Sequence, residues 1–288
     1  MMTGQVRAWT CIPALALAAF TGCGTAEPAP KPNGTPQRVV VFAPSAAEAL
    51  VALGLADRVV AIGSHGPWPG EFAALESAGS FDRPDLEGIL ELECDLVLTT
   101  ASVAASIGHQ RLERLGVAVE TLDTSTFEGV FTSLARLGVL FKREDRAAEL
   151  AAEMRDGLER VRVATADLPP KKVLFVVGRD PLFVAGPGSH VDELIRLGAG
   201  INVAHDAASP YQQFSVEAVL ERLPEVIVDT SGDAEYWDRW PFLPAVRNDS
   251  VYRVEPSVLV IPGIRLPEMA QAMAELIHPG TFAQPTDE

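Results

Sequence analysis

The sequence has few cysteines, few basic residues and no apolar segment of membrane-spanning length, and each lack excludes a class of protein. Three cysteines among 288 residues are too few for a disulfide-rich scaffold. The sequence contains only 23 lysines and arginines but 39 aspartates and glutamates, which gives a formal net charge of −16. Such a charge repels phosphate backbones, and no basic stripe is present, so we exclude nucleic acid as a partner. The apolar run 8–20 is shorter than the roughly 20 residues of a transmembrane helix.

The residue patterns of common enzymes and metal centres are also missing. No Gly-x-Ser-x-Gly nucleophile motif occurs. The five histidines (His65, His109, His190, His205 and His278) do not show the close spacing of a metal site. We therefore expect no catalytic residues, no resident metal and no cofactor. His65 is the one candidate axial ligand for a metal carried by a bound chelate, because it follows a predicted strand directly; an ordinary loop histidine is the alternative.

The first 37 residues have the pattern of an export signal and a tether. Arg7 precedes the apolar run 8–20, and the small residues Thr21-Gly22 lead to Cys23. This pattern resembles a bacterial lipobox, which implies a signal peptide over 1–23, a lipid on Cys23 and an exported, membrane-anchored protein. Residues 24–37 are rich in proline and small side chains, as expected of an extended tether. Cys94 is then the only thiol of the mature domain, and we expect it to be buried and inert.

From residue 38 onward, short apolar runs alternate with segments of helical periodicity. Such alternation is typical of parallel α/β layers. The predicted strands are 39–42, 59–62, 96–98, 117–119, 173–177, 182–185, 226–228 and 251–254. The predicted helices between them are 44–53, 86–93, 108–115, 189–197, 215–223 and 265–277. We therefore predict the α/β class, with two Rossmann-like lobes and a ligand cleft between them.

One long amphipathic segment separates the two α/β halves. Over 143–164, apolar residues recur at spacings of three and four, and most other positions are charged. The stripe consists of Ala147, Ala151, Met154, Leu158 and Val161. A helix of this length reaches roughly 33 Å, and Pro169-Pro170 ends it. We therefore predict an N-terminal lobe at 38–142, a rigid linking helix at 143–168 and a C-terminal lobe at 169–288.

The two predicted lobes share an internal repeat. Residues 86–100 align without gaps on residues 216–230, at a constant offset of 130 positions. Each copy is a helix opened by a glutamate, Glu87 or Glu217, and followed by a strand. A glutamate at a helix start is often explained by the helix dipole alone. The repeat instead predicts a matched pair of glutamates on the rims of the two lobes.

An aromatic residue accompanies the repeat at the same offset. Phe81 precedes the first copy and Tyr211 precedes the second, each six positions before its glutamate. The helix dipole does not account for this second pairing. If the lobes face each other, the two aromatic side chains line opposite walls of one cleft.

Four segments together resemble the cobalamin- and siderophore-binding periplasmic proteins of ABC importers. They are 38–60, 180–195, 248–254 and 262–279, and the resemblance covers about 38–280. It implies two α/β lobes joined by one long helix, and a monomer that delivers its ligand to an ABC permease dimer with ATPase subunits. It also implies that Glu87 and Glu217 dock on the transporter.

The same resemblance implies an aromatic cleft, which suits a broad and largely apolar chelate. The expected ligand-binding residues are Ser45, Trp68, Phe81, Phe183, Tyr211 and Arg265. Trp237 adds to this set as part of a cluster with Trp240 and Phe242. The alternative for the cluster is the core of the lobe, and the alternative for Arg265 is a structural role at a helix start.

Cobalamin is the ligand that the segments 180–191 and 262–279 favour, with ferric siderophores and haem as alternatives. A different class of function is an extracytoplasmic hydrolase with Glu87 and Glu217 as its carboxylate pair. A third is a sensory or scaffold lipoprotein that reuses the fold.

Overall fold

Five parallel strands form the sheet of the N-terminal lobe. The computed structural model of the protein describes residues 34–80, 83–100, 109–232 and 234–282. Across the sheet the strands are β3 (Glu76–Ser77), β2 (Val59–Ile62), β1 (Val39–Val41), β4 (Leu96–Thr100) and β5 (Ala118–Leu122). This is the order of a doubly wound fold. β1 is fully buried because helices cover both faces of the sheet, as its unbroken apolar run indicates.

The helices of this lobe divide between the two faces. They are α1 (Pro44–Ala52), α2 (Leu86–Glu91), α3 (His109–Arg114) and α4 (Phe127–Phe141). Val39 and Val41 face the cluster that contains α1 and α4, whereas Val40 faces the cluster of α2 and α3. Helix α4 begins at an N-cap, Thr126, whose hydroxyl accepts a 3.0 Å bond from Gly129 N–H.

The sheet of the C-terminal lobe is mixed rather than purely parallel. Its strands are β11 (Val251–Arg253), β10 (Val226–Asp229), β6 (Lys171–Arg179), β7 (Leu182–Ala185) and β9 (Tyr211–Gln213), and β8 (Gly200–Asn202) also pairs with β6. β7 runs antiparallel to both β6 and β9. Only two residues separate β6 from β7, which is too short for a crossover, so the chain must turn back on itself.

Three helices of the C-terminal lobe lie within one residue of their predicted bounds, and two short helices were not predicted. In chain order, the helices are α6 (His190–Leu197), α7 (Val216–Arg222), α8 (Pro244–Arg247), α9 (Pro256–Leu259) and α10 (Leu266–Ile277). Within the ranges that the structure describes, no helix combines the length and apolar character needed to cross a membrane.

The long helix α5 (Glu144–Thr165) connects the lobes. It packs against α4 on one side and α10 on the other. Its buried face includes Ala147, Met154 and Val161, as the apolar stripe predicted, together with Leu150 and Gly157. A side chain at Gly157 would collide with Pro267, since an added Cβ would lie 2.6 Å from the proline Cβ. The α/β class with two lobes joined by one long helix is therefore confirmed.

The internal repeat corresponds to one structural unit in each lobe. The first copy forms α2 and β4, and the second forms α7 and β10 at the same offset. Both helices start with a side-chain cap at equivalent positions: Asp85 accepts from Gly88 N–H, and Ser215 accepts from Ala218 N–H. β4 pairs with β1, and β10 pairs with β6, so each repeat strand lies beside the first strand of its lobe.

Some of the sequence predictions fall outside the described residues. These are the signal peptide, Cys23, most of the tether and Phe81.

Candidate ligand-binding cleft

A cavity of about 310 Å³ lies between the two lobes. It is lined by Thr100, Leu122, Asp123, Thr124 and Ser125 of the N-terminal lobe, by His190 and Tyr211 of the C-terminal lobe, and by Val260 and Pro262 of the segment before α10. The N-terminal wall is formed where β4 and β5 end, which is the edge at which open α/β sheets bind ligands. The fold therefore directs residues from both lobes into one space.

His190 forms part of the C-terminal wall at the first position of α6. Ser189 caps this helix by accepting a 3.2 Å bond from Asp192 N–H. The imidazole is only 2 % exposed, and its Nε2 lies 3.1 Å from the carbonyl oxygen of Leu259. Burial lowers the pKa of His190 to about 4, so the ring is neutral at pH 7.

Tyr211 lies beside His190 on the same wall. It belongs to β9 and is 41 % exposed, so its ring presents an apolar face to the cavity. Its hydroxyl oxygen is 3.5 Å from Nδ1 of His190. Desolvation raises the pKa of Tyr211 to about 12, which keeps the phenol protonated at physiological pH.

Asp123 brings a negative charge to the opposite wall. Its Oδ1 accepts a 2.6 Å bond from the Ser125 hydroxyl and a 2.9 Å bond from Ser125 N–H. These bonds lower the pKa of the Asp123 carboxyl group, so it is ionised at pH 7. No lysine or arginine occurs among the described residues that line the cavity.

Of the predicted ligand-binding residues, only Tyr211 lines this cavity among those that the structure describes. Phe183 is exposed on β7, opposite Gln213. Ser45 is buried in α1 and lines a much smaller apolar cavity near Gly263. Arg265 forms a 2.9 Å ion pair with Glu48 of α1. That pair connects the start of α10 to the N-terminal lobe.

Trp68 is half-buried in the loop that follows β2. Its indole ring packs against Gly66, where an added Cβ would lie 3.1 Å from the ring. The indole N–H is enclosed and has no acceptor in the described part of the chain.

Trp237 does not line the cleft, and we correct its assignment to the core of the C-terminal lobe. It is fully buried, and its indole N–H donates a 2.9 Å bond to Asp229. Asp229 is equally buried and accepts a further bond from Arg179. The Trp237 indole N–H therefore donates to the carboxylate of a buried ion pair between Asp229 and Arg179. Trp240 packs against the same core, whereas Phe242 is 54 % exposed.

The repeat glutamates and the candidate metal ligand are all at the surface. Glu87 is the second residue of α2, and Glu217 is the second residue of α7; both are exposed. His65 is also exposed, with its Nδ1 2.8 Å from the Ser64 hydroxyl. No group of three or more metal-ligating side chains is assembled within the described ranges.

His190 is one of several cavity residues that sequence analysis missed, since only Tyr211 of the lining set was predicted. Its sequence signal is weak, because a histidine at a capped helix start looks like part of the cap. Its contacts come from Leu259 and Tyr211, which lie 69 and 21 positions away along the chain. Only the folded chain brings these groups together.

Comparison with known proteins agrees with this architecture. The family model described as periplasmic binding protein matches residues 39–258. The chain belongs to the periplasmic binding protein family. The uncharacterized ABC transporter substrate-binding lipoprotein YvrC of Bacillus subtilis is 30% identical over 260 residues, which are 86% of this chain and 82% of that protein.

Two further proteins that this chain resembles carry ligand names. The vitamin B12-binding protein of Vibrio campbellii is 26% identical over 225 residues, or 76% of this chain and 82% of that protein. A periplasmic haem-binding protein from Pseudomonas aeruginosa superposes with a TM-score of 0.75 at 27% identity, covering 85% of this chain and 94% of the other. The relatives thus share the fold but differ in the ligand named.

The buried, neutral imidazole of His190 makes stability depend on pH. The unfolded chain protonates this group near pH 6.5, but the folded chain does so only near pH 4. The unfolded state therefore binds more protons in this window, and stability falls as the pH falls through it. We expect His190→Gln to remove about 2 kcal/mol of the loss in unfolding free energy between pH 7 and pH 5.

Urea unfolding at the two pH values measures this difference. His65→Gln is the matched control, because His65 is exposed, and it should leave the pH dependence of wild type unchanged. An equal loss of stability in wild type and His190→Gln would contradict the assignment.

Proposed function

We propose that this protein is the extracytoplasmic substrate-binding lipoprotein of an ABC importer, and that it captures cobalamin without chemical change. The family assignment and the names of the relatives support a binding role. On this proposal the protein is exported, carries a lipid on Cys23 and acts as a monomer. It has no enzymatic activity, and the tether 24–37 lets the folded part reach the transporter.

The charge of the cleft is the observation that favours cobalamin. The described cavity wall contains the anionic Asp123, the neutral His190 and Tyr211, and no cation. The corrin ring of cobalamin is edged by neutral carboxamides, whereas haem carries two carboxylates and many ferric siderophores are anionic. An anionic ligand would meet an unfavourable field here, and no described basic side chain of the cavity would offset it.

Haem is the second candidate, because one structural relative is named as a haem-binding protein. The exposed aromatic ring of Tyr211 suits either macrocycle, since both ligands are broad, largely apolar discs. The choice between them therefore depends on the polar groups and not on the aromatic ones.

Glu87 and Glu217 are suited to dock on the permease. They occupy equivalent exposed positions of the two lobes, so a two-fold symmetric permease dimer could contact both in the same way. Exposed ion pairs contribute only about 0–1 kcal/mol each. Their role is thus to set the register of docking and the rate of encounter. Neither glutamate is among the cavity-lining residues, which leaves the hydrolase alternative without support.

Calorimetric titration tests the ligand. We expect tight one-to-one binding of cyanocobalamin by the chain that begins after Cys23, and at least tenfold weaker binding of haemin or an anionic ferric siderophore. Such a difference corresponds to about 1.4 kcal/mol or more. Tighter binding of haemin by the folded protein would overturn the choice of cobalamin.

Uptake of labelled cobalamin tests the docking surface. In cells whose only copy carries Glu87→Ala and Glu217→Ala, we expect uptake to fall at least tenfold while the affinity for cobalamin stays unchanged. The control is Glu91→Ala with Glu221→Ala, an exposed pair at the same offset and one turn further along α2 and α7. It removes the same charge and should transport normally. Equal loss of uptake in both double variants would contradict a specific docking role.

A further inference from the structure

We infer, on the basis of the proposed capture of a corrinoid, that the part of the cavity between Asp123 and the His190–Tyr211 pair is a subsite lined by hydrogen-bond acceptors. It takes an N–H donor of the ligand, of which a primary carboxamide is the chemical class, and it disfavours a carboxylate in the same place. The subsite therefore selects one peripheral amide of the ligand.

The direction of the Tyr211 hydroxyl proton follows from the contacts of His190. The carbonyl of Leu259 can only accept, so the contact of 3.1 Å requires a proton on Nε2 of His190. A neutral imidazole has a single N–H, which leaves Nδ1 as an acceptor. The Tyr211 hydroxyl, 3.5 Å from Nδ1, donates to it. The phenol oxygen then presents lone pairs to the cavity.

On the opposite wall, Ser125 donates both its N–H and its hydroxyl proton to Oδ1 of Asp123. Farther along the chain, Phe127 N–H donates to the Glu193 carboxylate at 3.3 Å and 3.4 Å. Oδ2 of Asp123 accepts no bond from the described residues. These donors are consumed inside the protein, and the acceptors Asp123 and Ser125 remain.

The cavity wall contains no lysine or arginine among its described residues, and the nearby Arg265 is paired with Glu48. A carboxylate at this position would have its oxygens opposed to the anionic Asp123 and to the Tyr211 oxygen, and the described wall would offer it only the neutral hydroxyls of Thr100 and Thr124 as side-chain donors. An amide N–H there satisfies the same groups, which is the basis for strong discrimination by hydrogen bonding.

Cyanocobalamin and its monocarboxylic acids test the subsite. Each acid has one peripheral carboxamide hydrolysed to a carboxylate, and the isomers differ in which one. With the purified full-length protein, we expect one isomer to bind at least tenfold more weakly than cyanocobalamin, and the others to bind within about threefold of it. General repulsion by the acidic protein would weaken all isomers alike, so the isomers control for one another.

Two variants assign the effect to the hydroxyl proton. His190→Leu releases the Tyr211 hydroxyl to donate into the cavity, and we expect it to reduce the tenfold discrimination at least threefold. The double variant His190→Leu with Tyr211→Phe has no hydroxyl and should not show this recovery. Thermal unfolding of each variant verifies that it is folded. If His190 only packs, His190→Leu will weaken every isomer by the same factor.

Different results would overturn the subsite and the proposed ligand. Equal binding of all monocarboxylic acids and cyanocobalamin, or equal weakening of all the acids, would overturn the subsite while cobalamin capture stands. If cyanocobalamin does not bind and haemin does, the corrinoid is wrong, and haemin is compared with its bis-amide. Tighter binding of the bis-amide would support the subsite, whereas haemin binding at least as well would overturn it.

Discussion

The rest of the structure depends on the packing of helix α5 between α4 and α10. One hydrophobic cluster runs from Val39 in the N-terminal sheet, through Met154 and Val161 of α5, to Phe175 and Val228 in the C-terminal sheet. Burying each such side chain contributes about 1.5–3 kcal/mol. Opening the lobes widely would break this continuous core. Additional bonds across the cleft, from Arg265 to Glu48 and from Phe127 N–H to Glu193, act in the same direction.

On the proposed function, a fixed spacing between the lobes would couple the ligand cleft to docking on the transporter. Because both repeat units lie in the same register of their sheets, the exposed Glu87 and Glu217 are held at a set separation. Ligand capture then has to be achieved by a cleft that is largely formed beforehand, with side chains such as Tyr211 and His190 already placed. On the proposed function, the absence of a described cation in that cleft, in a protein that is acidic overall, would make hydrogen bonding the main source of discrimination.

The sequence predicted most elements whose pattern is local, such as the linking helix and the repeat. It missed α4, the short helices α8 and α9, and the short strands β3, β8 and β9. It also did not indicate that β7 is antiparallel, a direction that follows from the short connection after β6. Trp237 illustrates a second limit, because an indole suits a cleft or a core equally until its partner Asp229 is known. His190 illustrates a third: its role depends on contacts with distant parts of the chain, which no spacing rule reveals.

The distance between the two lobes tests the central claim most directly. Spin labels at Glu87→Cys and Glu217→Cys, in the chain after Cys23 with Cys94→Ala, report that distance by double electron–electron resonance. We expect one narrow distribution whose centre moves by less than about 2 Å when cyanocobalamin is added. A broad distribution, or a shift of many ångströms on binding, would contradict a cleft held open at fixed spacing by α5.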